Sequence, residues 1–313
     1  MIHAPIRFLE WSARHGGVLL AIAILAPVAY GPLASVMRPI VTPSVAFLMT
    51  LVLLRIDPAQ VMAWLRRPGV VALISAWMLL VSPLIVFAAT RAVGLDGSLG
   101  AGVALVAASC AVSSAPAFAR LVGLDAEISL VVAVLTTVLL PFTAPPVALW
   151  LLGLDLAISL QGLMLRLLMI IGIPALGAVL LRHWLGQARL DRAAKPLDGA
   201  VVLVLVLFAF GVMDGVNARL LADPLWLIGA IGVALAGSLG LNALTALVMA
   251  PLLGRQTGLT AGLLAGNRNQ AVFLAVLPAG ADPDVLLFFG IGQIPMYIGP
   301  FLLRSIYGRL RPA

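Results

Sequence analysis

The sequence predicts an all-α polytopic membrane protein, with ten transmembrane helices arranged as two inverted five-helix repeats and with helices four and nine broken. Three observations point there. Of 313 residues, 63% are hydrophobic and only 10% charged, against about 45–50% and about 25% in soluble domains. Apolar stretches recur at close to the roughly 20 residues that a helix needs to cross hydrocarbon, and the short alternating segments of a β-barrel are absent. The basic residues gather in alternate gaps between those stretches.

The elements follow in order. The N-terminal "MIHAPIRFLEWSARHGG" places Arg7, Glu10, Arg14 and His15 ahead of any long apolar run, so it reads as an amphipathic lead-in and not a cleavable signal. Ten spans follow, at roughly 16–36, 39–54, 69–91, 98–120, 127–152, 160–183, 197–217, 224–253, 257–277 and 284–307, with ends uncertain by about four residues. With the N-terminus in the cytoplasm, only Arg38, Arg91 and Arg219 fall outside, while Arg166 and Arg268 fall inside spans. The other basic residues, among them Arg55, Arg66, Arg67 and Arg311, are cytoplasmic, as the positive-inside rule requires. This orientation puts both termini inside and the chain in the inner (cytoplasmic) membrane. Every acid, from Glu10 to Asp284, sits at a span end or in a loop.

A net charge of +7 reports topology here, because the basic residues are dispersed and form no stripe for nucleic acid. The single cysteine, Cys110, has no internal partner for a disulfide. Metal-dependent transfer would need clustered acids, and zinc proteolysis paired histidines. Neither is present, so no enzyme is expected. The loop at about 183–196 is too short for a sensory domain. The expectation is therefore one transmembrane transporter domain over residues 1–313, with repeat one at about 1–157 and repeat two at about 158–313.

The repeats superpose at an offset of 157 residues. "MRPIV" (37–41) meets "AKPLD" (194–198), and "LDAEIS" (124–129) meets "ADPDVL" (281–286). Asp125 thereby pairs with Asp282, and Thr136 with Gln293. An odd number of spans per repeat inverts the second repeat, the plan of many secondary transporters, which bind substrate near the midplane at interrupted helices.

Spans four and nine are the interrupted ones. Span four holds Ser109, Cys110, Ser113, Ser114 and Pro116, and Pro116 predicts a kink or break there, with Ala115 extended. Span nine holds "AGNRNQAVFL" (265–274). Gly266 and Asn267 both tolerate positive φ and predict a second break. Arg268 has no intramembrane acid to pair with, so it takes backbone carbonyls, water or an anionic ligand. Bracing the break and binding an anion stand as equal readings. Asn267, Asn269, Gln270, Ser113, Ser114, Thr136 and Gln293 supply donors and acceptors for a polar substrate or for unwound backbone. Hydroxyls in membrane helices often bond their own backbone. Asn242 is expected to bridge helices, and Arg166 to snorkel.

Four stretches carry a family resemblance: "RPIVTPSVAFLM" (38–49), "SCAVSSAP" (109–116), "LDAEISLVVAVLTTVLLPFTAPP" (124–146) and "GRQTGLTAGLLAGNRNQAVFLAV" (254–276). The chain resembles the bile acid:sodium symporter family, within a wider superfamily that includes auxin and arsenite efflux carriers. The resemblance implies ten helices, a panel and a core domain, helices four and nine crossing at the site, and sodium-coupled uptake of organic anions. It also exposes departures. The family's carboxylate ahead of the ninth-helix crossing falls on Leu264, its Ser-Asn pair on Ala115 and Pro116, and its ligating threonine on Ala133. Ser129 is the one retained sodium-ligand candidate.

The expected function is thus a secondary active transporter or facilitated carrier of a small organic anion by alternating access, with the usual sodium ligands largely absent. A sodium symporter with relocated sites and an efflux carrier of the auxin/arsenite type are the alternatives. No cofactor is expected, the partners are the anion and the lipid bilayer, and a monomer is the expected state. Arg268 either binds the substrate, braces the break or stands in for a bound sodium ion.

Overall fold

The computed structural model describes residues 3–54, 68–151, 153–278 and 280–310. The helices are α1 (His3–Arg14), α2 (Gly16–Ala29), α3 (Pro32–Leu54), α4 (Pro68–Ala92), α5 (Ser98–Ala108), α6 (Ala115–Val122), α7 (Ala126–Pro145) and α8 (Leu160–Leu185). They continue with α9 (Gln187–Arg192), α10 (Ala194–Val212), α11 (Val216–Ala222), α12 (Pro224–Leu253), α13 (Arg255–Gly266), α14 (Gln270–Val276), α15 (Pro283–Ile291) and α16 (Gln293–Leu310). Among the described residues there is no strand, only one isolated bridge. Arg55, Arg66, Arg67, Arg311 and Asp57, on which part of the orientation rests, lie outside the described residues.

Among the described residues, six helices are long and apolar enough to cross a membrane, or eight when each bent pair counts as one span. Large apolar side chains such as Leu25, Ile173, Leu176 and Leu247 are exposed on them, a surface suited to lipid and costly in water. The expected spans four and nine are each two short helices.

Several boundaries differ from the sequence expectation. The first apolar helix ends at Ala29, not near 36, because Tyr30 turns extended (φ −138°, ψ 92°) and Pro32 opens the next helix from its first turn, where a missing N–H costs nothing. Pro39 does not separate two spans. It is absorbed in a 3₁₀ turn, Arg38–Ile40, inside α3. The helix of the seventh span stops at Val212, and Gly215 (φ 86°) restarts the chain as α11, within one apolar stretch, Ala194–Ala222. The expected lead-in is the helix α1, bent by 79° from α2.

The chain divides into two compact units, each drawn from both halves of the sequence: Met1–Ile56 with Leu168–Leu227, and Asp57–Leu167 with Ile228–Ala313. In the first, α10 is the common partner of α1, α2 and α3. Two glycines on α10 permit this. A Cβ on Gly199 would overlap the Leu9 carbonyl, and one on Gly211 would lie 2.7 Å from the Met37 carbonyl oxygen. Asp214 ties the chain beyond α10 to α3, accepting from Arg38 Nη1 at 3.2 Å and from Ser35 Oγ at 3.1 Å. Arg182 donates to the Leu54 carbonyl at the end of α3.

In the second unit, aspartates cap α7 and α15 in the same way. Asp125 Oδ1 accepts from the Glu127 and Ile128 amides at 2.9 Å, and Asp282 Oδ1 from the Asp284 amide at 2.8 Å. These are the two acids paired by the 157-residue offset. Helix α13 lies tightly on α12 through Gly258, Gly262 and Gly266. Cβ atoms there would run into Ala250, the Asn242 carbonyl oxygen (2.7 Å) and the Ser238 carbonyl oxygen (2.7 Å) respectively. Small residues every fourth position let helices approach closely where no hydrophobic effect drives them together. Gly262→Leu should therefore lower unfolding stability by about 1–3 kcal/mol through overpacking, whereas Gly232→Leu, facing open space, should leave it nearly unchanged. Thermal unfolding of the two purified variants measures the contrast.

Candidate functional site

The two interrupted helices break at different local causes. Pro116 was expected to make the break in span four, and it does not. The break runs from Ser109 (φ −79°, ψ 166°) to Ser114, and Pro116 sits in the first turn of α6. The proline needs no N–H there. Ala115, expected to be extended, is the first residue of α6. In span nine, α13 ends at Gly266 and α14 begins at Gln270. Neither Gly266 nor Asn267 uses positive φ. Asn267 has φ −119°, and Gly266 is required by its contact with α12.

The freed backbone of each break pairs with the other. Ala111 and Arg268 form an isolated antiparallel bridge. The Val112 amide donates to the Asn267 carbonyl at 3.0 Å, and the Asn269 amide to the Cys110 carbonyl at 2.8 Å. Ala111 and Arg268 stand 157 positions apart, as do Cys110 and Asn267, and Val112 and Asn269. Exchanging the halves at this offset turns one hydrogen bond into the other. The Ala111 amide finds a side chain, Thr136 Oγ1, at 3.2 Å.

The carbonyls left at the two helix ends are met by side chains, as buried polar groups require. Ser238 Oγ donates to the Gly266 carbonyl at 2.7 Å, and Asn267 Nδ2 to the Leu263 carbonyl at 2.8 Å. Arg268, 3% exposed, does the most. Its Nε donates to the Ala265 carbonyl at 2.9 Å, Nη1 to the Ser109 carbonyl at 2.8 Å and the Met78 carbonyl at 2.9 Å, and Nη2 to Ser82 Oγ at 2.6 Å. Of its five N–H donors, one on Nη2 is left without a partner among the described residues.

Met78 has a carbonyl to offer because α4 widens into a π turn at Trp77–Val81, in which the Ser82 amide bonds to Trp77. The same register would assign the Met78 carbonyl to residue 83, which is a proline with no N–H. Ser82 Oγ, at 2.9 Å, and Arg268 take that oxygen instead. Sequence reading passed over Met78 and Ser82. The signal was "SP" (82–83) in the middle of an apolar span.

The remaining expected residues are placed as follows. Asn269 is half-buried and caps α14 through its backbone. Ser113 and Ser114 are half-buried, and Ser114 leads into α6 without a side-chain cap. Thr136 donates to the Val132 carbonyl at 2.7 Å while accepting from Ala111. Gln293 Nε2 reaches the Phe289 carbonyl at 3.4 Å. The oxygens Asn267 Oδ1, Gln270 Oε1 and Gln293 Oε1 are buried with no hydrogen-bond partner among the described residues. Ser129 donates to the Asp125 carbonyl at 2.7 Å. Leu264, Ala115 and Ala133 share one buried apolar cluster, with Pro116 also buried. Asn242 bridges helices, accepting from Tyr307 Oη at 2.9 Å. Arg166, expected to snorkel, is exposed. It donates to the Val276 carbonyl at 2.9 Å, where the last turn of α14 needs a donor.

Beside the crossing lies a small recess. Its walls include Val103, Leu241, Phe288 and Met296, and Arg268 and Gln270 supply polar surface. Both basic side chains inside the expected spans thus end on carbonyls, and one of them also borders an open space.

Thr136→Val should leave the Ala111 amide unpaired and lower stability by about 1–3 kcal/mol, while Thr136→Ser, which keeps the oxygen, should fall close to the parent. Chemical or thermal unfolding of the pair reads the difference.

No curated protein matches the chain. A family model described as the Sodium Bile acid symporter family matches residues 42–224, more than half of the chain. The matched segment contains the span-four break and Thr136. It ends before α13, so the Arg268 side of the crossing lies beyond it. The chain is a member of the sodium bile acid symporter family.

Proposed function

We propose that this chain carries a small organic anion across the inner membrane by alternating access, without using the sodium ligands typical of its family. The family consists of transporters, and a transporter of organic anions in general is the function that membership supports. One observation carries the finer reading: Arg268 is buried at the edge of the recess, its four bonds all go to uncharged oxygens, and one donor is left over. An anion seated there would supply the missing negative charge, since a desolvated cation binds a carboxylate strongly. Gln270, with an unpartnered Oε1, would orient it, and Asn269, Ser113 and Ser114 are the half-buried polar groups of the same breaks.

Sodium independence is supported by the apolar cluster that joins Ala115, Ala133 and Leu264. These positions would have to present oxygens to a hard cation. Alternating access in a ten-span inverted repeat is supported by the bridge Ala111–Arg268, whose two hydrogen bonds interchange at the repeat offset, and by two units each assembled from both halves. A second reading, a sodium symporter with relocated sites, draws on the unpartnered oxygens of Asn267, Gln270 and Gln293.

Two measurements test the proposal. In a thermal-stability screen of the purified protein, small organic anions should stabilise it where neutral analogues do not. Gln270→Leu should weaken that effect about tenfold, the size of one lost hydrogen bond to a charged group. If no anion stabilises the protein, the anion reading fails. In proteoliposomes, uptake of a stabilising anion should proceed equally with an inward sodium gradient and with choline. Several-fold stimulation by sodium would establish the second reading instead.

A further inference from the structure

The surroundings of Arg268 resemble a cation site more than a set of chance contacts. Four oxygens converge on the guanidinium at 2.6–2.9 Å: the Met78 carbonyl and Ser82 Oγ of α4, the Ser109 carbonyl following α5, and the Ala265 carbonyl of α13. They come from three separate segments, so no single local turn explains them. None carries a formal charge. The carbonyls of Ser109 and Ala265 belong to the C-terminal ends of half-helices, where the negative pole of the helix dipole lies. The Met78 carbonyl has lost its helical partner to the π turn and to Pro83. Oxygens of this kind, unpaired by the backbone and shielded from water, replace a hydration shell around an alkali cation. Divalent ions would want carboxylates as well, and none bonds here.

We infer that Arg268 is a tethered cation filling a four-oxygen site, and that a free monovalent cation enters this site once the side chain is removed. The inference deepens the carrier reading and rests on it for its consequence in transport: a cation fixed to the chain holds the crossing together in every state, so none needs to be carried along. It also separates the two roles of Arg268. Four donors maintain the crossing, and the fifth is left over on a residue that lines the recess.

The test is the thermal unfolding of Arg268→Ala in detergent, with choline chloride as the background salt and no substrate present. The variant should unfold about 5–10 °C below the parent, as expected for the loss of a few kcal/mol in a chain of this size. Guanidinium chloride at low millimolar concentration should restore at least half of that shift along a saturable curve. Urea, the uncharged molecule of similar shape, should restore none of it, and the parent should respond to neither. Sodium or potassium should restore a smaller part, also saturably. If Arg268→Ala is recovered folded only when guanidinium is present, that too supports the inference. Failure to fold with guanidinium present, or the absence of any saturable cation response, overturns it. So does a variant Arg268→Met as stable as the parent, because the volume alone would then suffice. The readout involves no transport. Sodium-stimulated uptake by the parent would overturn the carrier reading while leaving this result intact, and a flat guanidinium titration would do the reverse.

Discussion

Unwound backbone in an apolar interior must have its polar groups paired, and the centre of the larger unit is organised by that requirement. Each unpaired N–H or C=O at membrane depth costs several kcal/mol. Two interrupted helices meet the demand jointly. Val112 and Asn269 donate across the bridge, Thr136 takes the Ala111 amide, and Ser238 and Arg268 take the carbonyls that neither break can satisfy. Either break alone would be left with orphaned groups.

The arginine also links the crossing to a third segment. Its reach to Met78 and Ser82 works only because α4 is defective at that point: a π turn followed by a proline leaves one carbonyl without a helical donor. A regular helix would present no free acceptor there. The irregularity of α4 and the unusual arginine of span nine, far apart in the sequence, therefore answer each other. Arg166 plays a lesser version of the same part at the far end of α14. In both cases a long cationic side chain substitutes for the peptide donor that a short helix lacks.

Membership of a sodium-symporter family sits beside a site whose expected ligand positions have become hydrocarbon. Ala115, Ala133 and Leu264 do not merely lack oxygens. They lie in one buried apolar cluster with Val131, Val132 and Met249. Among the described residues, charge at the crossing comes from Arg268 alone, and the arrangement resembles an occupied binding site more than an empty one.

Much of this was legible in the sequence by itself. Composition and the absence of short alternating segments determined the all-α membrane class, since backbone in hydrocarbon is satisfied only by helices or closed barrels. The offset of 157 paired the acids at 125 and 282, and the structure shows both capping a helix; the residues that meet at the bridge stand at the same offset. Polar residues inside two apolar spans marked the breaks. The sequence misassigned their cause, because Pro116 and Gly266 each have two meanings: proline breaks a helix or begins one, and glycine supplies positive φ or close approach. Only the tertiary structure decided between them, through the first turn of α6 and the glycine ladder against α12. It also decided what Arg268 touches. Carbonyl acceptors such as those of Met78 and Ser109 are invisible in a sequence, since every residue has one, and only the fold determines which are left free.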